Sequence, residues 1–301
     1  MTINQSPSDS TSTAPADEHL GQTLKVASDH RRSVRVGRLG RFALQFSVLL
    51  VFFAVWWLIA RLQLVNPLYL PSPGAVWDAF IQSNSCRAIS ETRTVCGEQS
   101  YYMWEHLVAS LQRIGIGVGI AVILGPLVGF LMGAVKVLNT ALEPYLNFLR
   151  SLPPLGYIGL LIVWFGIGDT SKHWLLFLAA FPPIVIATIN GVRGVKQDSM
   201  HAARSMGANW WQVGTSVILP SALPEIIAGI RIATGFAWTC VVAAELNAGI
   251  PGIGGLAYTS GQQLQTPLTI ACIIVIGLAA VALDALIKYL GNLAVPWYGK
   301  A

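Results

Sequence analysis

Residues 42–60 read FALQFSVLLVFFAVWWLIA, a stretch with no Asp, Glu, Lys or Arg, entered from a basic cluster of Arg31, Arg32, Arg35, Arg38 and Arg41. About 20 predominantly apolar residues are needed to cross the hydrocarbon core of a bilayer as a helix, so this stretch predicts a transmembrane span. A cleaved leader is disfavoured: the apolar run exceeds the usual length of about 7–15 residues, it starts late, and no small-x-small site follows.

The rest of the chain agrees. Of 301 residues, 54% are hydrophobic and 11% are charged, with a mean hydropathy of +0.59. Soluble domains carry roughly 25% charged residues, so too little charged surface exists here to cover a soluble core of this size. Further apolar runs cover 107–135, 155–167, 174–189, 224–246 and 268–290. The reading is an all-α polytopic membrane protein with six transmembrane helices. The third run is short unless its helix begins near Tyr145, with a kink at Pro153 and Pro154, since proline lacks an N–H and clashes with the preceding turn.

The organisation that follows has a tail at 1–41, rich in Ser, Thr, Asp and Pro before its basic end and too poor in bulky apolar residues to offset the entropy of ordering. A membrane domain then occupies 42–301, with a long outer loop at 61–106 and a long inner loop at 190–223. Basic loops stay cytoplasmic. With the N-terminus inside, the inner segments hold Lys25, Arg31, Arg32, Arg35, Arg38, Arg41, Lys136, Arg150, Arg193, Lys196, Arg204, Lys288 and Lys300, whereas the outer ones hold only Arg61, Arg87, Arg93 and Lys172. Both termini are therefore expected in the cytoplasm, and the net charge of +5 needs no nucleic-acid partner.

Cys240 and Cys272 fall in spans and read as packing residues. Cys86 and Cys96 share the outer loop, where an oxidising compartment would favour a disulfide, with two free thiols as the alternative. Gly125, Gly129 and Gly133 recur every four residues on one helix face and predict close packing on a neighbouring helix of the same chain. Arg113, Glu225, Arg231, Glu245 and Asp284 are ionisable groups in or at the edge of spans; such groups face a partner, a protein interior or a watery path.

The loop at 190–223 is too long for a mere connection. Ala202, Met206, Trp210, Val213 and Val217 recur at spacings of three and four, an apolar helical stripe; Gly207 interrupts it and predicts a bend between two short helices. Pro220 and Pro224 are expected to restart the chain into the fifth span. A surface helix of this kind either lies on lipid or docks in a groove of another protein.

His201-Ala202-Ala203-Arg204-Ser205-Met206-Gly207, with Val217-Ile218-Leu219-Pro220 beyond it, resembles the EAA loop of bacterial ABC-importer permeases, whose pattern is Glu-Ala-Ala, three residues, Gly, nine residues, Ile-x-Leu-Pro. His201 stands where Glu is usual and Val217 where Ile is usual. Arg150-Ser151-Leu152-Pro153-Pro154-Leu155, Trp164-Phe165-Gly166-Ile167-Gly168, Leu70-Pro71-Ser72-Pro73 and the run from Leu223-Pro224-Glu225 to Glu245-Leu246 resemble the nitrate/sulfonate/taurine branch, the taurine permeases most fully. Against these the loop carrying Cys86 and Cys96 looks like an insertion.

The resemblance implies the type I ABC-importer permease architecture: an inner-membrane, non-enzymatic subunit that pairs with a second copy of itself, two cytoplasmic ATPase subunits and a periplasmic binding protein. ATP and Mg would sit on the ATPase, with no cofactor and no metal on this chain. The contact with the ATPase would involve His201, Ala202, Ala203, Met206, Gly207, Ala208 and Trp210, with Leu219 and Pro220 setting how that segment meets the fifth span. Arg113, Thr239, Glu245 and Asn247 are the pathway candidates. Taurine is the cargo implied first, with alkanesulfonate, nitrate and bicarbonate as alternatives. The chain has no Gly-x-x-x-x-Gly-Lys-Ser/Thr segment for nucleotide and no His-Glu-x-x-His or Gly-x-Ser-x-Gly for an intramembrane enzyme. A secondary transporter is the remaining rival.

Overall fold

The computed structural model describes residues 40, 43–90, 93–246 and 249–297. The tail apart from Gly40 therefore lies outside the described residues. The chain divides into two compact units, one ending at Val65 and one beginning at Asn66. The first contains helix α1, Ala43–Arg61. Leu44, Leu50, Phe52 and Trp57 are all exposed along it, and a helix apolar on every side is one built for lipid or for a second protein surface. Arg61 closes it with its guanidinium 5.2 Å from the centre of the Trp57 ring.

The second unit begins with α2, Pro73–Ser83, where Ser72 caps the N-terminus by accepting from the Ala75 N–H and Pro73 occupies the first turn. An antiparallel hairpin follows, β1 (Cys86–Ser90) against β2 (Arg93–Cys96), with Cys86 opposite Cys96 and the two joined by a disulfide. The segment read as an outer loop is thus largely structured. Then come α3 (Met103–Ala134), α4 (Lys136–Ser151), a 3-10 turn at Pro154–Tyr157 leading into α5 (Ile158–Phe165), and α6 (Asp169–Arg193). Next are α7 (Gln197–Ser205), α8 (Trp210–Val213), a π turn at Gly214–Ile218, α9 (Leu219–Glu245), α10 (Ile253–Gln262) and α11 (Thr266–Ala294).

Among the described residues five helices are long and apolar enough to cross a membrane: α1, α3, α6, α8–α9 as one helix, and α11. The sixth span is a pair, α4 with Pro154–Phe165, bent by 92°. Pro153 and Pro154 cannot donate to the preceding turn, and Leu152 is driven to extended backbone before a proline. Helix here starts at Lys136, well before the apolar run at 155–167, because Asn139, Glu143, Asn147 and Arg150 dilute the apolar signal of α4. Arg150, counted above with the inner loops, therefore lies inside the bent span. Lys172, counted with the outer loops, is buried in the first turn of α6.

The core is built by α6 against α3 and α9. The most apolar window of α6 is 61% buried, that of α11 only 11%. Ile114, Val118, Leu176, Ile184, Ala237 and Val241 interlock here. The glycines of α3 decide the spacing: a Cβ at Gly125 would meet Ile184 Cγ2 at 2.6 Å, one at Gly129 Thr188 Cβ at 2.5 Å, and one at Gly133 Val192 Cβ at 2.8 Å. Gly117 against Leu176 extends the row by two turns. The expectation of packing within one chain holds, and since residue numbers rise together along both helices, α3 and α6 run parallel. Cys240 and Cys272 are buried, as packing residues should be.

Candidate functional site

Two places gather the predicted residues, one at each end of the bundle. At the elbow end, α7 carries Asp198 in its first turn and Arg204 in its last, both favourable to the helix dipole. It stops in a Schellman motif: Gly207 N–H bonds to Arg204 O at 2.9 Å and Ala208 N–H to Ala203 O at 3.1 Å. That geometry needs a left-handed residue, and Gly207 supplies it with φ of +85°. Two residues later Asn209 and Gln212 form a reciprocal capping box, each backbone N–H bonding the other side chain at 2.8 Å. Helix end and helix start are thus both fixed by hydrogen bonds, with only Met206–Asn209 between them.

The structure also corrects the loop's limits. Residues up to Arg193 belong to α6, and from Trp210 onward the chain is one helix to Glu245, so 194–209 alone lie outside the long helices. Pro220 and Pro224 do not restart the chain. The π turn at Gly214–Ile218 widens the helix just ahead of Pro220, where its ring would otherwise crowd the preceding turn.

The predicted apolar stripe divides at the elbow. Val213 is buried and Val217 half-buried, whereas Ala202, Met206 and Trp210 are exposed. Ala203 is buried against its own chain. His201, Gly207 and Leu219 are exposed, while Ala208 and Pro220 are half-buried. Trp211, absent from the expected set, is 69% exposed beside Trp210, and Met206 is 83% exposed. Adjacent tryptophans in a polar loop were the available signal.

At the hairpin end, Arg113 and Glu245 meet, although 132 residues separate them. Arg113 Nη1 donates to Glu245 Oε1 at 2.7 Å and to Pro251 O at 2.8 Å, and its Nε donates to Asp169 Oδ1 at 2.8 Å. Lys172 Nζ reaches the same Asp169 oxygen at 3.1 Å. Glu245 also accepts from Ser110 Oγ at 2.6 Å and from Gly254 N–H at 2.9 Å. His106 Nδ1 accepts the Gly252 N–H at 2.9 Å, which leaves Nε2 to donate to Glu98 O at 3.2 Å.

The glycine loop closes over the carboxylate so tightly that a Cβ on Gly252 would lie 2.6 Å from Glu245 Cδ. Arg113 and Glu245, expected on a pathway, are buried at 5% and 2% exposure with their charges turned on each other. Thr239 is exposed on α9 and takes no part. Asn247 lies outside the described residues. Farther along, Arg231 grips Asp284 with two bonds of 2.8 Å, tying α9 to α11.

A multi-pass helical bundle with a broken span and a capped elbow on its surface gives the class, a polytopic all-α membrane protein, and comparison with known proteins gives the family. The model for the binding-protein-dependent transport system inner membrane component matches residues 117–294. The taurine transport system permease protein TauC of Escherichia coli is 39% identical over 260 residues, 85% of this chain and 90% of TauC. The nitrate import permease protein NrtB of Synechococcus elongatus is 31% identical over 279 residues, 91% of this chain and 98% of NrtB. A chain of the MetNI methionine ABC transporter, solved in inward facing conformations, superposes with a TM-score of 0.53 at 21% identity, covering 66% of this chain and 98% of that one, a likeness of fold. The chain belongs to the family of binding-protein-dependent transport system inner membrane components.

Proposed function

We propose that this chain is the permease subunit of an ATP-driven importer for a small sulfonate, taurine first. The observation that carries the reading is the 39% identity to a taurine permease across nine-tenths of that relative's length. Sulfonate, nitrate and bicarbonate permeases among the other relatives make the alternatives anions too. Two copies of the chain assemble with two cytoplasmic ATPase subunits and a periplasmic binding protein. ATP and Mg belong to the ATPase, and this chain binds no cofactor. Both termini lie in the cytoplasm, which puts the elbow there and the disulfide hairpin in the oxidising periplasm.

The elbow gives this reading a mechanism. Met206, Trp210 and Trp211 present an apolar patch on a segment whose two ends are both capped. Seated in a cleft of the ATPase, such a segment moves as a lever, because α8 is continuous with the whole of α9. The test is uptake of isotopically labelled taurine in the source bacterium with the gene deleted and then restored, competed by ethanesulfonate, nitrate and bicarbonate. Loss, rescue and competition by sulfonates alone are expected. Unchanged taurine uptake in cells shown to express the gene and to lack a second system would move the cargo to another of these anions.

A further inference from the structure

The bent span has a feature that neither the elbow nor the charged network explains. Where α4 breaks, a cavity of about 90 Å³ opens, lined by Arg150, Leu152, Pro154, Tyr157, Pro182 and Phe236 among others. Pro182 stands halfway along α6 and Phe236 lies well inside α9, so the cavity sits at mid-height of the bundle. Arg61 and Arg193 are the last residues of their spans, whereas two other arginines in the interior of the spans, Arg113 and Arg231, each hold a carboxylate within 2.8 Å. Arg150 has none within 4.0 Å among the described residues, and its side chain is exposed at the cavity. A cation at mid-height of a span without a counter-charge is costly and marks a path taken by ions or substrate, and secondary transporters offer the precedent of cargo sites built at discontinuous helices near mid-height.

We propose that Arg150, assisted by the phenol of Tyr157, contacts the anionic group of the cargo as it crosses. The proposal rests on the reading of the chain as an anion importer's permease. A guanidinium presents a planar fork of N–H donors that matches the oxygens of a sulfonate, nitrate or bicarbonate, and the Tyr157 O–H adds a neutral donor. The cavity holds a few waters at roughly 30 Å³ each, the size of one small anionic group. With no carboxylate already on Arg150, the anion binds without first breaking an ion pair, and it leaves without a second cation to hold it. That is the weak contact that conduction through a path requires.

The experiment uses the whole importer, with ATPase and binding protein, in proteoliposomes. Arg150→Gln is expected to lower uptake at least tenfold while ATP hydrolysis stimulated by the loaded binding protein stays within twofold of wild type; Arg150→Lys retains an intermediate rate. Tyr157→Phe, which keeps the ring and its packing, lowers uptake severalfold. In Arg150→Cys, a cationic ethylammonium methanethiosulfonate restores uptake, its ethylsulfonate counterpart does not, and cargo slows the labelling.

Wild-type uptake in Arg150→Gln, or equal recovery with both reagents and no protection by cargo, overturns the proposal. Loss of uptake together with stimulated hydrolysis also overturns it, since Arg150 then acts through coupling. The cargo reading fails separately: a wild-type importer that accumulates nitrate or bicarbonate instead of taurine overturns taurine and leaves the Arg150 dependence to be read on that anion, whereas an uncharged or cationic cargo overturns both.

Discussion

The two ends of the bundle solve opposite problems. At the hairpin end Arg113, Asp169, Lys172 and Glu245 neutralise one another, and a glycine loop, a histidine and a serine absorb the remaining hydrogen-bonding groups. At the elbow end only the backbone is satisfied. Its side chains, Met206, Trp210 and Trp211, stand in the open. Buried charges are tolerated where every partner lies within the chain, and exposed aromatics outside the spans mark surfaces that another protein or the membrane interface covers. One end is finished by folding, and under the proposed function the other is finished by assembly.

Removing a group from the finished end should therefore cost stability first. Glu245→Leu leaves Arg113 with Asp169 as its one carboxylate and the Pro251 carbonyl, and breaking a buried pair costs about 3–5 kcal/mol. The retained Asp169 puts the expectation near the low end, about 3 kcal/mol, read as a loss of unfolding free energy in detergent. Arg113→Met with Glu245→Leu should recover part of it, because no uncompensated charge then remains. A loss below about 1 kcal/mol would erase the distinction between the two ends.

The elbow should answer the other way. Trp210→Ala with Trp211→Ala is expected to leave unfolding of the isolated subunit within about 0.5 kcal/mol, as exposed positions do. Cargo uptake should fall more than tenfold, since interface tryptophans are worth about 2 kcal/mol or more. Co-purification of the ATPase checks that the loss arises at the contact. A large drop in subunit stability with the ATPase still bound would mean the tryptophans serve the fold.

Between the ends, α3 and α6 give a finer contrast. Gly129→Val pushes a side chain into Thr188 and should cost about 2 kcal/mol by overpacking. Gly119, nearly three turns away, meets nothing within 4 Å, and Gly119→Ala should be neutral to stabilising, by up to about 1 kcal/mol, in the same melt.

The sequence made the spans legible because a charge-free run of about 20 residues has few other readings. It also showed the α3 glycine row, since a period of four survives in one dimension. Three things were hidden for physical reasons. The first half of the bent span mixes Asn139, Glu143 and Arg150 with apolar residues, so composition hid a helix that tertiary packing supports. Arg113 and Glu245 were visible as costly charges, yet their meeting depends on how α3 and α9 cross α6. The fifth span was given too late a start, because Pro220 and Pro224 read as breakers until the π turn made room for them.

The smallest expected effect separates rigidity from contact at the elbow. Asn209 is exposed, and its side chain accepts the Gln212 N–H at 2.8 Å at its own helix start. Asn209→Ala removes one cap worth about 1 kcal/mol, while Met206, Trp210 and Trp211 all remain. If the elbow works as a lever, loosening its hinge should lower cargo uptake per ATP hydrolysed by about two- to fivefold with the ATPase still bound. Asn209→Asp, an equally good cap, should restore the ratio. Were Asn209→Ala to leave that ratio unchanged while the tryptophan variants abolish uptake, the elbow would be an adhesive patch, and the force would have to pass directly into α9.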